Sequence, residues 1–399
     1  MAGKYGSPHG FLLVDGYNLL AAKLASLRMK IIALQTPSHG IGDADEEHSP
    51  TGICRAEIVQ EGGFWSTAAL NIHAAMEGKI AAHTPQAVPR IVCLGFAEQI
   101  VGRQFSGFVG AFQGEYEVVA EGGDLQKANV TYLVTGKHEP GQIVQESGAQ
   151  IEILTASAET PTTVTTAKPH RLANGQTCRI AGNSQATLNA DNIATVVTPT
   201  TFTVPVDLSV AGAGAGGTVI QYNSADWDTE DQSVDWTVCP LNRAITILTS
   251  SAASPTVITT DVPHGLTNGQ LVLIAGHSEG DANGEHVATV TSTTTFTIPV
   301  DLIAGGGTGG TLVQANTLAG AAGYQQVTEY ADFDGVIGKL RDSPDDAAYG
   351  DLIVFTNVTS APAKERKLSV IGTVDRYLAY NGDVTGAGNI IVFSGCSRL

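Results

Sequence analysis

The chain has 399 residues, a net charge of −18, and only 15 % charged and 6 % aromatic residues. So acidic a chain does not hold nucleic acid by neutralising phosphates, which takes Lys and Arg, and it has no apolar stretch of about 18 residues to span a membrane. Its 46 glycines, with Thr and Val recurring throughout, predict short strands joined by turns, a mainly β protein and not a helical enzyme.

The start, Met1-Ala2-Gly3-Lys4-Tyr5, lacks the apolar core of a secretion signal, so folding in the cytoplasm of the producing cell is expected. Phe11-Leu12-Leu13-Val14 predicts a short apolar strand before Asp15-Gly16-Tyr17. The polar stretch from His39 to His48 reads as a loop. From Trp65 to about Ala82 the spacing of Leu70 and Ala74, with Ser66 or Thr67 able to cap, predicts the one helix. Strands return at Arg90–Leu94 and Phe105–Ala111. The clearest alternation is Lys127–Val134, with Ala128, Val130, Tyr132 and Val134 on one face. Residues 1–150 are thus expected to form a β domain with one helix.

The middle is a tandem duplication. Pro169-His170-Arg171-Leu172-Ala173-Asn174-Gly175-Gln176 matches Pro263-His264-Gly265-Leu266-Thr267-Asn268-Gly269-Gln270 at an offset of 94 residues, and 22 of 40 positions from 169 and 263 onward are identical. Units of 151–222 and 245–316 follow, joined by a linker, 223–244, that carries the acidic run Asp226–Asp231. In each unit the Asn-Gly pair supplies positive φ for a tight turn. Thr-Phe-Thr runs end at Pro205 and Pro299, where a missing N–H suits a strand end. His-x-Leu-x-Asn-Gly-Gln, then Ile-x-Gly, then Thr-x-Thr-Phe-Thr resembles the small β-barrel repeats of phage virion proteins. Those in turn resemble the barrel of the first catalytic-cysteine half-domain of ubiquitin-activating enzymes, a likeness of scaffold alone.

The last segment, 317–399, reads as a C-terminal β domain, either separate or completing the first one. Val14-Asp15-Gly16-Tyr17, His39-Gly40-Ile41-Gly42-Asp43, Gly102–Phe108 and Leu125–Thr131 resemble the tail tube (major tail) proteins of siphophages. Asp342-Ser343-Pro344-Asp345-Asp346, Asp351–Thr356 and Thr373–Ala379 resemble the C-terminal part of the same family. The resemblance implies a virion structural protein of the tail, assembled in the host cytoplasm. Its partners would be further copies of itself in six-membered rings stacked into a tube, other tail proteins, and phage DNA passing the lumen without specific binding. No membrane partner is expected. The repeats would then be insertions decorating the exterior. An inter-ring loop is expected at His39, Asp43, Asp45, Glu46 and Glu47, and Asp43, Glu46, Glu115, Glu117 and Glu121 are candidates to face the lumen.

Little points to chemistry. The cluster His39, Asp43, Asp45, Glu46, Glu47 and His48 has neither zinc nor Ca²⁺-loop spacing, so no metal and no cofactor is expected. His170 and His264 are read as turn residues whose rings satisfy backbone carbonyls. Gly212–Gly217 fits G-x-G-x-x-G, but a strand, Thr218-Val219-Ile220, follows in place of the required helix. The five cysteines are scattered and read as small buried hydrophobes. Lys364-Glu365-Arg366-Lys367 is read as a hairpin turn. No catalytic residue is assigned, and the chain is read as not an enzyme. A capsid decoration or tail-tip protein is the alternative function. A carbohydrate-binding adhesive module comes third, since the chain has only three tryptophans for stacking on sugars.

Overall fold

Eight strands precede the repeats: β1 (Phe11–Val14), β2 (Tyr17–Asn18), β3 (Ser26–Pro37), β4 (His48–Phe64), β5 (Arg90–Gly95), β6 (Gln104–Val119), β7 (Lys127–Val134) and β8 (His138–Glu146). The computed structural model describes residues 10–19, 26–37, 48–64, 89–96, 99, 101–120, 126–134, 138–148, 150–172, 174–224, 226–230, 233–235, 244–303, 305–316, 320–369 and 372–398. The helix expected over 65–82 lies outside them. Within them the protein is almost entirely strand and turn, a mainly β fold.

β1 and β5 are apolar runs buried along their whole length because each of their faces has a core. Leu12, Val14, Val92 and Leu94 face one cluster with β4, β6 and β7; Phe11, Leu13, Ile91 and Cys93 face another with Phe105, Tyr324 and Phe393. β1 turns into β2 through Asp15 (φ 54) and Gly16 (φ 85), two consecutive positive-φ residues, as the tightest hairpins need.

Both ends of the chain belong to one 14-stranded sheet. β8 pairs with the C-terminal strand Tyr377–Arg398, which runs antiparallel to Ala321–Ser343 over nearly its whole length. Three register shifts interrupt that pairing, as β-bulges do where a long strand must bend. The far edge of Ala321–Ser343 carries Gly350–Val354 and Ala363–Leu368.

Ala363–Leu368 corrects the expected hairpin turn at 364–367. It is a strand, and the period of two sends Lys364 and Arg366 inward while Glu365 and Lys367 face out. Lys364 reaches the Asp15 carboxylate, which also pairs with buried Arg90 at 3.3 Å and accepts the Ile91 N–H at 2.9 Å. Arg366 grips buried Glu139 of β8 with two nitrogens, and the Tyr324 hydroxyl donates to the same carboxylate. Arg366→Ala leaves Glu139 buried without its cation and should cost about 3 kcal/mol in denaturant unfolding. Lys367→Ala, whose ammonium only reaches the exposed Val354 carbonyl, should change stability by less than about 0.5 kcal/mol.

At the end of the long hairpin the Asp375 N–H donates to Asp342 Oδ2 at 2.9 Å. Burial, then the neighbouring Asp375 carboxylate, push the Asp342 carboxyl above its ordinary range. A carboxyl raised in this way opposes folding while ionised, and the opposition fades as pH falls through its folded value. Asp342→Asn keeps an acceptor for Asp375 and removes the charge. It should raise the melting temperature at pH 7, and that gain should shrink on acidification.

The repeats form separate sheets of eight and seven strands. Their cores correspond: Val164 pairs with Phe202 as Ile258 pairs with Phe296, and all four are fully buried. The offset shortens to 93 after the glycine loop, where Ile180 opposite Val219 matches Ile274 opposite Leu312. Each repeat also ties one loop with side-chain amides. In the first, Asn183 accepts the Gln185 N–H at 2.9 Å and donates to the Gly216 carbonyl at 2.7 Å. His277 stands at that position in the second. Its Nδ1 accepts the Glu279 N–H at 3.1 Å, but its buried Nε2 has no partner. His277→Asn should restore the missing bond to the Gly309 carbonyl and stabilise the protein by about 1 kcal/mol, measured by denaturant midpoint.

Candidate functional site

The four strands β3-β4-β7-β6 form one branch of the main sheet, and each neighbouring pair is antiparallel. One face packs on the core through Leu27, Met29, Ile58, Val130, Tyr132 and Tyr116. The other carries Arg28, Lys30, Glu57, Glu61, Glu115 and Glu117. Arg28 pairs with Glu61, and Asn129 Nδ2 donates to Glu117 at 3.1 Å.

A bulge decides where the glutamates point. Gln113 lies opposite Tyr132, on the core face, and its Oε1 accepts from buried Arg90 at 3.0 Å. The register then shifts at Gly114, so that Glu115 lies opposite Thr131 and Glu117 opposite Asn129, on the polar face. Strict alternation from Gln113 would have turned both glutamates into the core. Both are exposed. Glu121, and the loop residues His39, Asp43, Asp45, Glu46 and Glu47, lie outside the described residues.

Among the described residues the two outer strands of this unit are open. Among the described residues β3 pairs only with β4. β6 is paired on both sides over its first half, by β5 and β8, but among the described residues 112–119 pair with β7 alone. Each open strand also leaves an apolar side chain of the core face half uncovered, Ile31 at 47 % and Val118 at 43 % exposure. Exposed edges with apolar flanks are templates for another chain.

Elsewhere the sequence candidates take structural roles. Leu172 N donates to His170 Nδ1 at 3.0 Å and the ring's Nε2 lies 2.9 Å from the Thr198 carbonyl; Leu266 and His264 repeat the Nδ1 bond. Strand Thr218–Gln221 follows the glycine run, so no dinucleotide fold stands there. Cys93 and Cys178 are buried, and burial pushes each thiol up to about 12, out of nucleophilic range. The expected linker, 223–244, is no free tether: Trp227–Asp228 and Val234–Asp235 pair with the C-terminal strand. Among the described residues no group of three or more His, Cys, Asp or Glu could hold a metal, and no helix is long and apolar enough to cross a membrane. Sequence reasoning missed the open edges, because strand pairing is a long-range property that single strands do not encode.

No family model matches the chain, and no curated protein matches it at a significant level.

Proposed function

We propose that the chain is a virion structural protein whose copies close into rings through the four-stranded sheet and stack into a phage tail tube. The observation that carries this reading is the pair of open edges. Because β3, β4, β7 and β6 alternate in direction, the two outer strands run opposite ways. The free edge of β6 in one copy can therefore pair antiparallel with β3 of the next, in the same sense at every step. Such a head-to-tail contact closes into a ring when its rotation divides the circle. A barrel of many strands then leaves a water-filled lumen. Ring closure would cover Ile31 and Val118 on the core face and leave Arg28, Lys30, Glu115 and Glu117 on the polar one. A lining of mixed charge with exposed glutamates offers phosphates no continuous cationic track, which suits a conduit for DNA. Tail-tube sequence motifs at both ends of the chain support the same reading, and the repeats, as separate sheets, suit an external position.

Negative-stain electron microscopy of the purified protein at high concentration tests it. Hollow tubes or stacked rings are expected, and Ile31→Arg or Val118→Arg should abolish them while shifting unfolding by less than about 1 kcal/mol. Particles that stay monomeric until mixed with capsids, and then coat them, would favour a decoration protein instead.

A further inference from the structure

Two clefts meet at Arg171, at the root of the first repeat. One, of about 380 Å³, opens between Gln142 of β8, Gly102 and Val234. The other, of about 230 Å³, runs past Gln221, Asn223 and Trp227. The larger is within the size range of small-ligand sites. Among the polar atoms on these walls, Gln142 Oε1, Asn223 Nδ2 and Trp227 Nε1 are buried and lack a hydrogen bond. Gln142 and Asn223 are each 2 % exposed. Buried polar atoms are ordinarily paired, so each such orphan calls for an explanation.

The arrangement is held in place by its neighbours. Gln176 Nε2 donates to Asn223 Oδ1 at 2.7 Å, and Gln221 Nε2 lies 3.0 Å from Gln176 Oε1 and 3.2 Å from the Arg171 carbonyl. That chain occupies the Asn223 oxygen and leaves its N–H₂ for the cleft. Trp227 is fixed by stacking on Tyr380, with centroids 5.9 Å apart, and by the bare backbone of Gly382 against its ring. Arg171 itself sits at φ 54, where the second repeat has Gly265 at φ 65. Glycine adopts that region without strain and arginine does not. Strain kept for a side chain with no hydrogen-bond partner among the described residues is a mark of function.

We propose that the two clefts joined at Arg171 bind a neutral saccharide. Each sugar hydroxyl donates one hydrogen bond and accepts two. The walls offer both: Arg171 lines both clefts, the smaller adds the Asn223 and Trp227 donors, and the larger adds the Gln142 acceptor. An anion is disfavoured, because Glu146, Asp226 and Asp228 line the smaller cleft with Arg171. Recognition uses the polar edge of the indole, so the scarcity of tryptophan does not count against it.

The test is a titration of the intact protein with D-glucose, D-galactose and N-acetyl-D-glucosamine, read by saturation-transfer NMR and tryptophan fluorescence. A saturable response with a millimolar Kd is expected for at least one sugar. Arg171→Gly, which installs the residue of the second repeat and relieves the strained backbone, should weaken it by about tenfold without lowering the melting temperature. Gln142→Leu should weaken it similarly. The proposal is overturned if none of the three sugars gives a saturable response up to tens of millimolar. It is equally overturned if both variants bind as the parent does, or if acetate or phosphate binds in place of every sugar.

Discussion

The fold depends on two carboxylates of the N-terminal half, buried Glu139 and partly buried Asp15, being met by alternate cations of one strand from the other end of the chain. Lys364 and Arg366 enter from Ala363–Leu368, more than 200 residues beyond Glu139 in sequence. An unpaired charge is far more costly in a core than in water, so the two ends of the chain are bound to one register. With that register fixed, the Tyr324 hydroxyl and the Gln326 amide also find partners across the seam, on Glu139 and on the Gly16 N–H. The insertion of two whole modules between β8 and Ala321 leaves this seam intact, because loop-closure entropy rises only slowly with loop length.

The same sheet is complete at its centre and incomplete at one end. Around β1 and β5 both faces and both edges are satisfied. Among the described residues the ladder stops at β3 and the second half of β6, while the apolar face continues to Ile31 and Val118. Soluble proteins usually blunt such edges with charges, prolines or short strands. Here β3 and β6 are long, 12 and 16 residues, and among their described side chains the charges lie on the face opposite Leu27, Met29, Ile31, Tyr116 and Val118. That combination suits an edge that is to be paired.

The repeats divide their conserved and variable parts differently from each other. Core positions are kept in pairs, as are the His170 and His264 rings that close the same turn. The residues through which each module meets the body differ between the two. The first repeat docks through Arg179 and Tyr222 on Glu329, with Arg179 Nη1 at 3.2 Å and the tyrosine hydroxyl at 2.7 Å from the same oxygen. The second touches Arg376 through Glu285, and Arg376 also holds Asp235. Duplication thus supplied one stable barrel twice, and separate surface changes fitted the copies to separate places.

Sequence alone determined the mainly β class, the duplication with its register, the buried face of Lys127–Val134 and the carbonyl-binding role of His170, since all rest on local periodicity or self-similarity. It singled out Glu115 and Glu117 as candidates to face a lumen, but the bulge at Gly114 that turns both onto the exposed polar face was not visible in it. It misread 364–367, where a broken basic run after Ala361-Pro362-Ala363 suggested a hairpin turn; partners for Lys364 and Arg366 lie hundreds of residues away. Only the tertiary structure decided which edges stay open, which cations are buried, and that the acidic segment after the first repeat lies against the C-terminal strand. Those are outcomes of strand pairing across the chain, and a strand's own residues define its two faces but not its neighbours.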